Sequence, residues 1–275
     1  MKILKNIKNK GLILFDVTLR DGIQSIKTKY SLSEKKHLFY KIYNKYNPHS
    51  IEIGSLVSDK IIPQMKGSIE LFKSVHETCD KDIYMMVPDI KKYNELKGNN
   101  IKNISLITSV SNSFTLKNTN KSEEKSLENI KTIIDITNKE NIIKKIKLYI
   151  SCINECPIDG KINNDVVVEK ILRYLKFSEI NEFCLSDTCG TLIFEDYKYI
   201  LDNILKYINK DKIGLHLHIG DNIDEYRKII NYSIENNVKK FDVSCLENTG
   251  GCVVTIDNNK IKSNLTYEQL ESLLE

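Results

Sequence analysis

Short apolar runs alternate along the chain with longer amphipathic stretches. The runs, rich in Ile, Val, Leu, Phe and Tyr, read as strands at 12–17, 50–54, 83–87, 103–108, 146–151, 182–186, 213–218 and 240–244. Between them, apolar residues recur every three or four positions, which predicts helices at 33–46, 60–77, 91–97, 123–139, 164–176, 195–208, 224–236 and 267–274. Ser33 and Asn164 stand where helix caps are wanted. Strands that alternate with helices imply βαβ units on a parallel sheet. Eight such units in about 250 residues match the (β/α)8 TIM barrel. An open doubly wound sheet is the alternative, weakened because no Gly-rich dinucleotide loop follows the first strand. No linker divides the chain, so residues 1–275 read as one catalytic domain.

In a barrel the chemistry sits at the C-terminal ends of the strands, so polar residues there carry the functional signal. The seventh run ends in Leu215-His216-Leu217-His218. Residues i and i+2 of a strand share a face, so both imidazoles project together. That arrangement offers two neutral nitrogens to one metal ion. The first run ends in Thr18-Leu19-Arg20-Asp21-Gly22-Ile23-Gln24, with Arg20 as a fixed cation, Asp21 as a hard oxygen ligand and Gly22 allowing a tight turn. Glu52 lies between Ile51 and Ile53 and reads as an inward carboxylate that needs a partner, with Arg20 the natural one. Asp187 ends the sixth run, and a Gly250-Gly251-Cys252 loop follows the eighth. Each alone has a plain alternative: a helix cap, a loop hydrogen bond, a surface turn. Together, mixed nitrogen and oxygen ligands suit Mg²⁺, Mn²⁺ or Zn²⁺ as a Lewis acid beside a cation and a thiol.

Composition narrows the class without naming it. Hydrophobic residues make up 41% and charged residues 28%, as in ordinary globular proteins. The net charge of +4 is too small to argue for nucleic acid, yet it tolerates an anionic substrate. No apolar stretch approaches the ~20 residues of a membrane span. The basic N-terminus lacks the apolar core of a secretory signal. Seven cysteines, an odd number placed mostly in or beside apolar strands, suggest a reduced cytoplasmic protein. Cys152 and Cys156 could form half of a zinc site, but no second pair matches them, so buried thiols are the better reading.

The ordered motifs resemble the 3-hydroxy-3-methylglutaryl-CoA lyase family, within the superfamily of metal-dependent barrel lyases and synthases named for an Asp-Arg-Glu site. The resemblance runs from about Leu12 to Glu268. It is carried by the Thr18–Gln24 segment and by Glu52-Ile53-Gly54-Ser55-Leu56-Val57-Ser58. Further matches are Phe114-Thr115-Leu116-Lys117-Asn118, Ser151-Cys152 through Lys161, Ser186-Asp187-Thr188, His216-Leu217-His218, Gly250-Gly251-Cys252 and Ser263-Asn264-Leu265-Thr266-Tyr267-Glu268. Asp16-x-Thr18-Leu19 is closer to the related synthases. The chain departs from the pattern at Ile219-Gly220-Asp221, at Glu247-Asn248-Thr249, at Val253-Val254-Thr255 after the loop cysteine, and in a few inserted residues around 257–260. It also stops just after the last barrel helix, where the family continues. These departures fall on the lid and rim that would hold the substrate.

The resemblance implies a divalent cofactor, Mg²⁺ or Mn²⁺, held by Asp21, His216, His218 and Asn264. It implies that Arg20 stabilises an enolate, that Cys252 takes part in proton transfer, that His216 is a candidate base, that Glu52 and Asp187 orient the site, and that Glu268 supports it from behind. The expected activity is cleavage of 3-hydroxy-3-methylglutaryl-CoA or a similar 3-hydroxyacyl-CoA to acetyl-CoA and a keto acid. The expected partner is the acyl-CoA alone, without nucleic acid or membrane, in a homodimer. An acyl-CoA/2-oxo acid condensing synthase is the second reading, and a barrel that has lost catalysis and survives as a binding protein is the third.

Overall fold

The computed structural model describes residues 4–257 and 260–274. Asn258 and Asn259, in the segment that reads as inserted, lie outside the described residues, as do the first three residues and Glu275.

Eight parallel strands close into a barrel. They are β1 (Ile13–Asp16), β2 (Ser50–Ser55), β3 (Asp82–Met86), β4 (Asn103–Ser109), β5 (Lys145–Ser151), β6 (Glu182–Asp187), β7 (Ile213–Ile219) and β8 (Lys240–Val243). Each pairs with the next in sequence, and β8 returns to pair with both β7 and β1. The (β/α)8 expectation is met, with strand bounds within two residues of those read from the sequence. The register Ser186↔His216 sets the ends of β6 and β7 level. A ninth short strand, Ser263–Asn264, runs back antiparallel along β7 and pairs Asn264 with His218.

The alternation of β7 explains why the barrel can carry chemistry. Leu215 and Leu217 join the large apolar layer between strands and helices, and His216 and His218 take the other face. That apolar layer, continuous around the barrel, supplies the main driving force for folding. Inside the barrel, Glu52, Ser105, Lys147, Ser186, His216, His218 and Asp242 are buried together with small apolar clusters that include Phe15, Tyr84 and Met86.

Most helices fall where the periodicity places them, and local chemistry sets their ends. Ser31 caps Leu32–Lys41 through a reciprocal pairing with Glu34, and Asn163 caps Asn164–Tyr174. The caps are thus Ser31 and Asn163, not Ser33 and Asn164. The 60–77 stretch does not form one helix. Pro63 starts a separate turn at Pro63–Met65, and Gly67, with φ 79°, resets the chain before Ser68–Val75. A helix at Asn112–Thr119 and a small hairpin pairing Glu155–Cys156 with Gly160–Lys161 are additions to the expected set. Among the described residues no helix is long and apolar enough to cross a membrane.

Candidate active site

Arg20 and Asp21 lie on a wide helical turn, Thr18–Gly22, that leaves the end of β1. The turn is tied down from below. Asp16 accepts the Thr18 amide at 2.9 Å and its hydroxyl at 3.0 Å, and the Thr18 oxygen accepts the Cys245 amide at 2.9 Å. Gly22 passes so near Ser244 that an added Cβ would stand 2.9 Å from its hydroxyl. Arg20 Nε then reaches Glu52 Oε2 at 2.5 Å, and an Arg20 terminal nitrogen reaches Asp21 Oδ1 at 2.5 Å. Glu52 also accepts hydrogen bonds from Ser105 and, at 3.1 Å, from Tyr149, whose ring lies 4.9 Å from the guanidinium carbon. Burial works against the Arg20 charge, but Glu52 and Asp21 outweigh it and hold the pKa above the ordinary arginine value.

The second oxygen of Asp21 faces both histidines, 3.5 Å from His218 Nε2 and 3.8 Å from His216 Nε2. The two rings stand 4.8 Å apart at 83°. His218 Nδ1 lies 2.8 Å from the Asp187 carbonyl, a pure acceptor, so that nitrogen carries the hydrogen. In the neutral ring Nε2 is then a bare lone pair aimed at a carboxylate. A lone pair and an anion facing each other call for a proton or a cation between them. The protein shows that tension in its electrostatics. Burial disfavours a charged His218, yet Asp21 raises its pKa, whereas burial lowers that of His216. Burial would raise the Asp21 carboxyl, but Arg20 and the histidines hold it well below the usual range.

Asn264 supplies an independent sign. Its side chain is buried, and among the described residues neither amide atom has a hydrogen-bond partner. An orphaned amide is costly unless a ligand uses it. The register opposite His218 sets it on that residue's side of the strand pair. Two imidazole nitrogens, one carboxylate and one amide oxygen therefore fit a divalent ion of the Mg²⁺–Mn²⁺–Zn²⁺ group.

The site opens into a cavity of about 370 Å³ whose floor includes Arg20, Asp21, His216 and His218, and whose rim includes Lys92, Lys117 and Lys121. The loop after β8 covers one side. Gly251 donates its amide to Asp21 at 2.9 Å, Gln24 donates to the Gly251 carbonyl at 2.6 Å, and Ser25 accepts the Gly250 amide at 2.9 Å. Cys252 lines the cavity, its sulfur 2.9 Å from the Thr255 hydroxyl and 3.4 Å from Asn118 Oδ1. Burial pushes its pKa up.

Arg20, Asp21, Glu52, His216, His218 and Cys252 thus meet at one end of the barrel. Asp187 takes part through its backbone: its carbonyl holds His218, while its carboxylate caps the following loop by accepting the amides of Gly190, Thr191 and Leu192. Glu268 is not brought to the site. It is half exposed and pairs with Lys45 and Tyr46. The sequence reading passed over Ser105, Tyr149, Lys147 and Asp242. The last two carried the signal that singled out Glu52, a charge set between apolar strand neighbours.

A family model described as HMGL-like matches residues 11–223. The chain belongs to this family. By that membership it is an enzyme of the lyase class, in the superfamily of metal-dependent barrel lyases. It is 26% identical over 243 residues to a 3-hydroxy-3-isohexenylglutaryl-CoA/hydroxymethylglutaryl-CoA lyase of Pseudomonas aeruginosa, covering 88% of this chain and 79% of that one. It is 26% identical over 269 residues to the mitochondrial hydroxymethylglutaryl-CoA lyase of Homo sapiens, covering 97% of this chain and 79% of that one. The crystal structure of hydroxymethylglutaryl-CoA lyase from Pseudomonas aeruginosa shares the fold, with a TM-score of 0.82, 24% identity, and coverage of 96% of this chain and 84% of that one.

Proposed function

We propose that this HMGL-like enzyme is a divalent-metal-dependent carbon–carbon lyase acting as one catalytic domain. Its substrate would be 3-hydroxy-3-methylglutaryl-CoA or a close 3-hydroxyacyl-CoA, split to acetyl-CoA and a keto acid. The observation that carries the proposal is the meeting of Asp21, His216 and His218 beside the Arg20–Glu52 pair on one cavity floor. The names of the relatives favour the same reaction. The seven free thiols suit a reducing cytoplasmic setting.

Asp21, His216, His218 and Asn264 would hold the ion. When bound it supplies Lewis acidity that polarises the substrate hydroxyl and carbonyl oxygens. The residues of the chain do the rest. A base takes the hydroxyl proton as the carbon–carbon bond breaks, and the electron pair passes to the acetyl-CoA fragment as an enolate. With Nε2 given to the ion and Nδ1 3.1 Å from Asp242, the His216 ring has no free nitrogen for that proton, so His216 would act as a ligand and another group would take the proton. Arg20 lies in the cavity wall with its planar donors fixed by Glu52 and Asp21, placed to stabilise the enolate oxygen. Burial keeps the Cys252 thiol protonated, which suits it to deliver a proton to the enolate carbon. The loop that carries it would shield the site from water. Lys92, Lys117 and Lys121 at the rim suit the phosphates of the carrier.

The test is direct. Purified protein with Mg²⁺ or Mn²⁺ and hydroxymethylglutaryl-CoA is assayed for acetoacetate. Metal-dependent release, abolished by chelation, is expected. No release, together with condensation of acetyl-CoA with a 2-oxo acid, would replace the lyase reading with the synthase.

A further inference from the structure

Beneath the site the barrel holds a second set of charges that the scheme above does not use. Asp242 on β8 stands with Oδ2 3.1 Å from His216 Nδ1. Its other oxygen pairs with Lys147 of β5, fully buried in the barrel. Lys147 Nζ also reaches Glu182 Oε1 of β6 at 2.8 Å, and Glu182 Oε2 lies 3.5 Å from Lys240 Nζ. The Lys147 ammonium sits 3.6 Å from the centre of the Phe15 ring, which closes it off from that side. The group Glu182, Cys184 and Asp242 has the spacing of a cation site, and Lys147 already supplies the cation there.

This column bears on the chemistry through the geometry of His216. The carboxylate near its Nε2, among the described residues, is Asp21. Left to itself, a neutral imidazole beside a carboxylate places its hydrogen toward that carboxylate, which would put Nε2–H against Asp21 and close the nitrogen to a metal. Asp242 offers a second and nearer carboxylate, at 3.1 Å against 3.8 Å, on the opposite ring nitrogen. A carboxylate can only accept, so His216 donates through Nδ1 and its Nε2 lone pair is left for a ligand. Lys147 fixes which way Asp242 points, and Glu182 keeps Lys147 in place. His218 is set the same way by the Asp187 carbonyl.

We infer that Asp242, held by Lys147, is a positioning residue that fixes the Nδ1–H tautomer of His216 and so opens the Asp21–His216–His218 group to a divalent cation. The inference rests on the proposal that this group holds such an ion.

Two measurements test it without turnover. The first uses the parent protein. The chain has five histidines, so ¹⁵N-histidine labelling gives a spectrum in which His216 is assigned by its loss in His216→Gln. Metal-free protein should show His216 protonated on Nδ1 and bare on Nε2. A ring protonated on Nε2 would overturn the inference, and the tautomer itself is read in the parent protein. The second is Asp242→Asn, which keeps the shape and leaves Glu182 as counter-ion for Lys147. Its Mn²⁺ affinity, read by electron paramagnetic resonance, should fall about 10- to 100-fold. In turnover, kcat should fall while KM for the acyl-CoA holds. Unchanged Mn²⁺ affinity in a folded Asp242→Asn would reduce Asp242 to a counter-ion of Lys147. Because tautomer and affinity are both read without substrate, a failure to cleave hydroxymethylglutaryl-CoA bears on the lyase reading alone.

Discussion

The Gly251 amide donates to Asp21 Oδ2 at 2.9 Å, the same oxygen that faces His216 and His218. The loop after β8 is therefore latched to the candidate metal centre. A neighbouring glycine makes the fit tight: Gly250 has φ 103°, and a Cβ there would stand 2.3 Å from the Asn264 side-chain nitrogen. Gly250→Ala should push the loop off the site and displace Asn264 together. We expect Mn²⁺ affinity to fall about 10-fold or more, in the range of other changes behind metal ligands. Titration with Mn²⁺ checks this, and an affinity equal to that of the parent would separate the loop from the metal centre.

Arg20→Lys should lower kcat by roughly 10²–10³-fold with little change in KM, as for other donors that act mainly on a charge formed during reaction. The reason is geometric. Arg20 meets Glu52 and Asp21 through two different nitrogens of one plane, and a lysine ammonium cannot reproduce that fork. Steady-state kinetics with hydroxymethylglutaryl-CoA distinguish the roles: a raised KM at unchanged kcat would make Arg20 a substrate-binding residue.

The strands were legible because buried parallel strands read as short apolar runs between longer periodic ones. His216 and His218 were legible through the two-residue period of β7. Asp242 and Lys147 were written in the same code as Glu52, but a charge inside a strand says only that it needs a partner. The pairing of Asp242 with His216 joins β8 to β7, and that of Lys147 with Asp242 joins β5 to β8. Only the closed barrel makes both. Other differences have their own reasons. Two serines stand near one helix start, and Glu34 three residues after Ser31 selects between them. The Asn112–Thr119 helix is short and mostly polar, without an apolar stripe to announce it. Glu268 matches a family segment, yet its helix turns it toward Lys45 and Tyr46.

Cys252 should be the thiol whose alkylation inactivates the enzyme. It lines the cavity, in contact with Thr255 and Asn118, whereas Cys152, Cys156 and Cys184 are fully buried and the partly exposed Cys79, Cys189 and Cys245 lie off the cavity wall. Its raised pKa makes the reaction slow at neutral pH and faster as pH rises, because the thiolate is the attacking form. An acyl-CoA substrate should protect it. Cys252→Ser should lose much of the cleavage rate and keep its Mn²⁺ affinity. A Cys252→Ser protein that cleaves at the parent rate would remove the thiol from proton transfer.

Asp16 should make the fold less stable as pH rises toward neutrality. It is fully buried beneath the turn that carries Arg20 and Asp21, and burial raises its pKa to about 7, against the lowering effect of Tyr267 and Thr18. An aspartate in the unfolded chain ionises near 4. Between those values the folded protein therefore binds more protons than the unfolded chain. Linkage then gives a contribution from Asp16 that is fully present below about pH 4 and is lost as pH rises through about 7. Its size is at most about 4 kcal/mol. Asp16→Asn has nothing to ionise. Its carbonyl oxygen can still accept the Thr18 amide, and its amide can donate to the hydroxyl oxygens of Thr18 and Tyr267, which now stand 3.0 and 2.8 Å from the carboxylate. Urea unfolding of parent and variant at steps between pH 4.5 and about 8 should show the difference in stability shifting toward the variant as pH rises. A constant difference across that range would mean that Asp16 is ionised throughout and that its hydrogen bonds outweigh its burial.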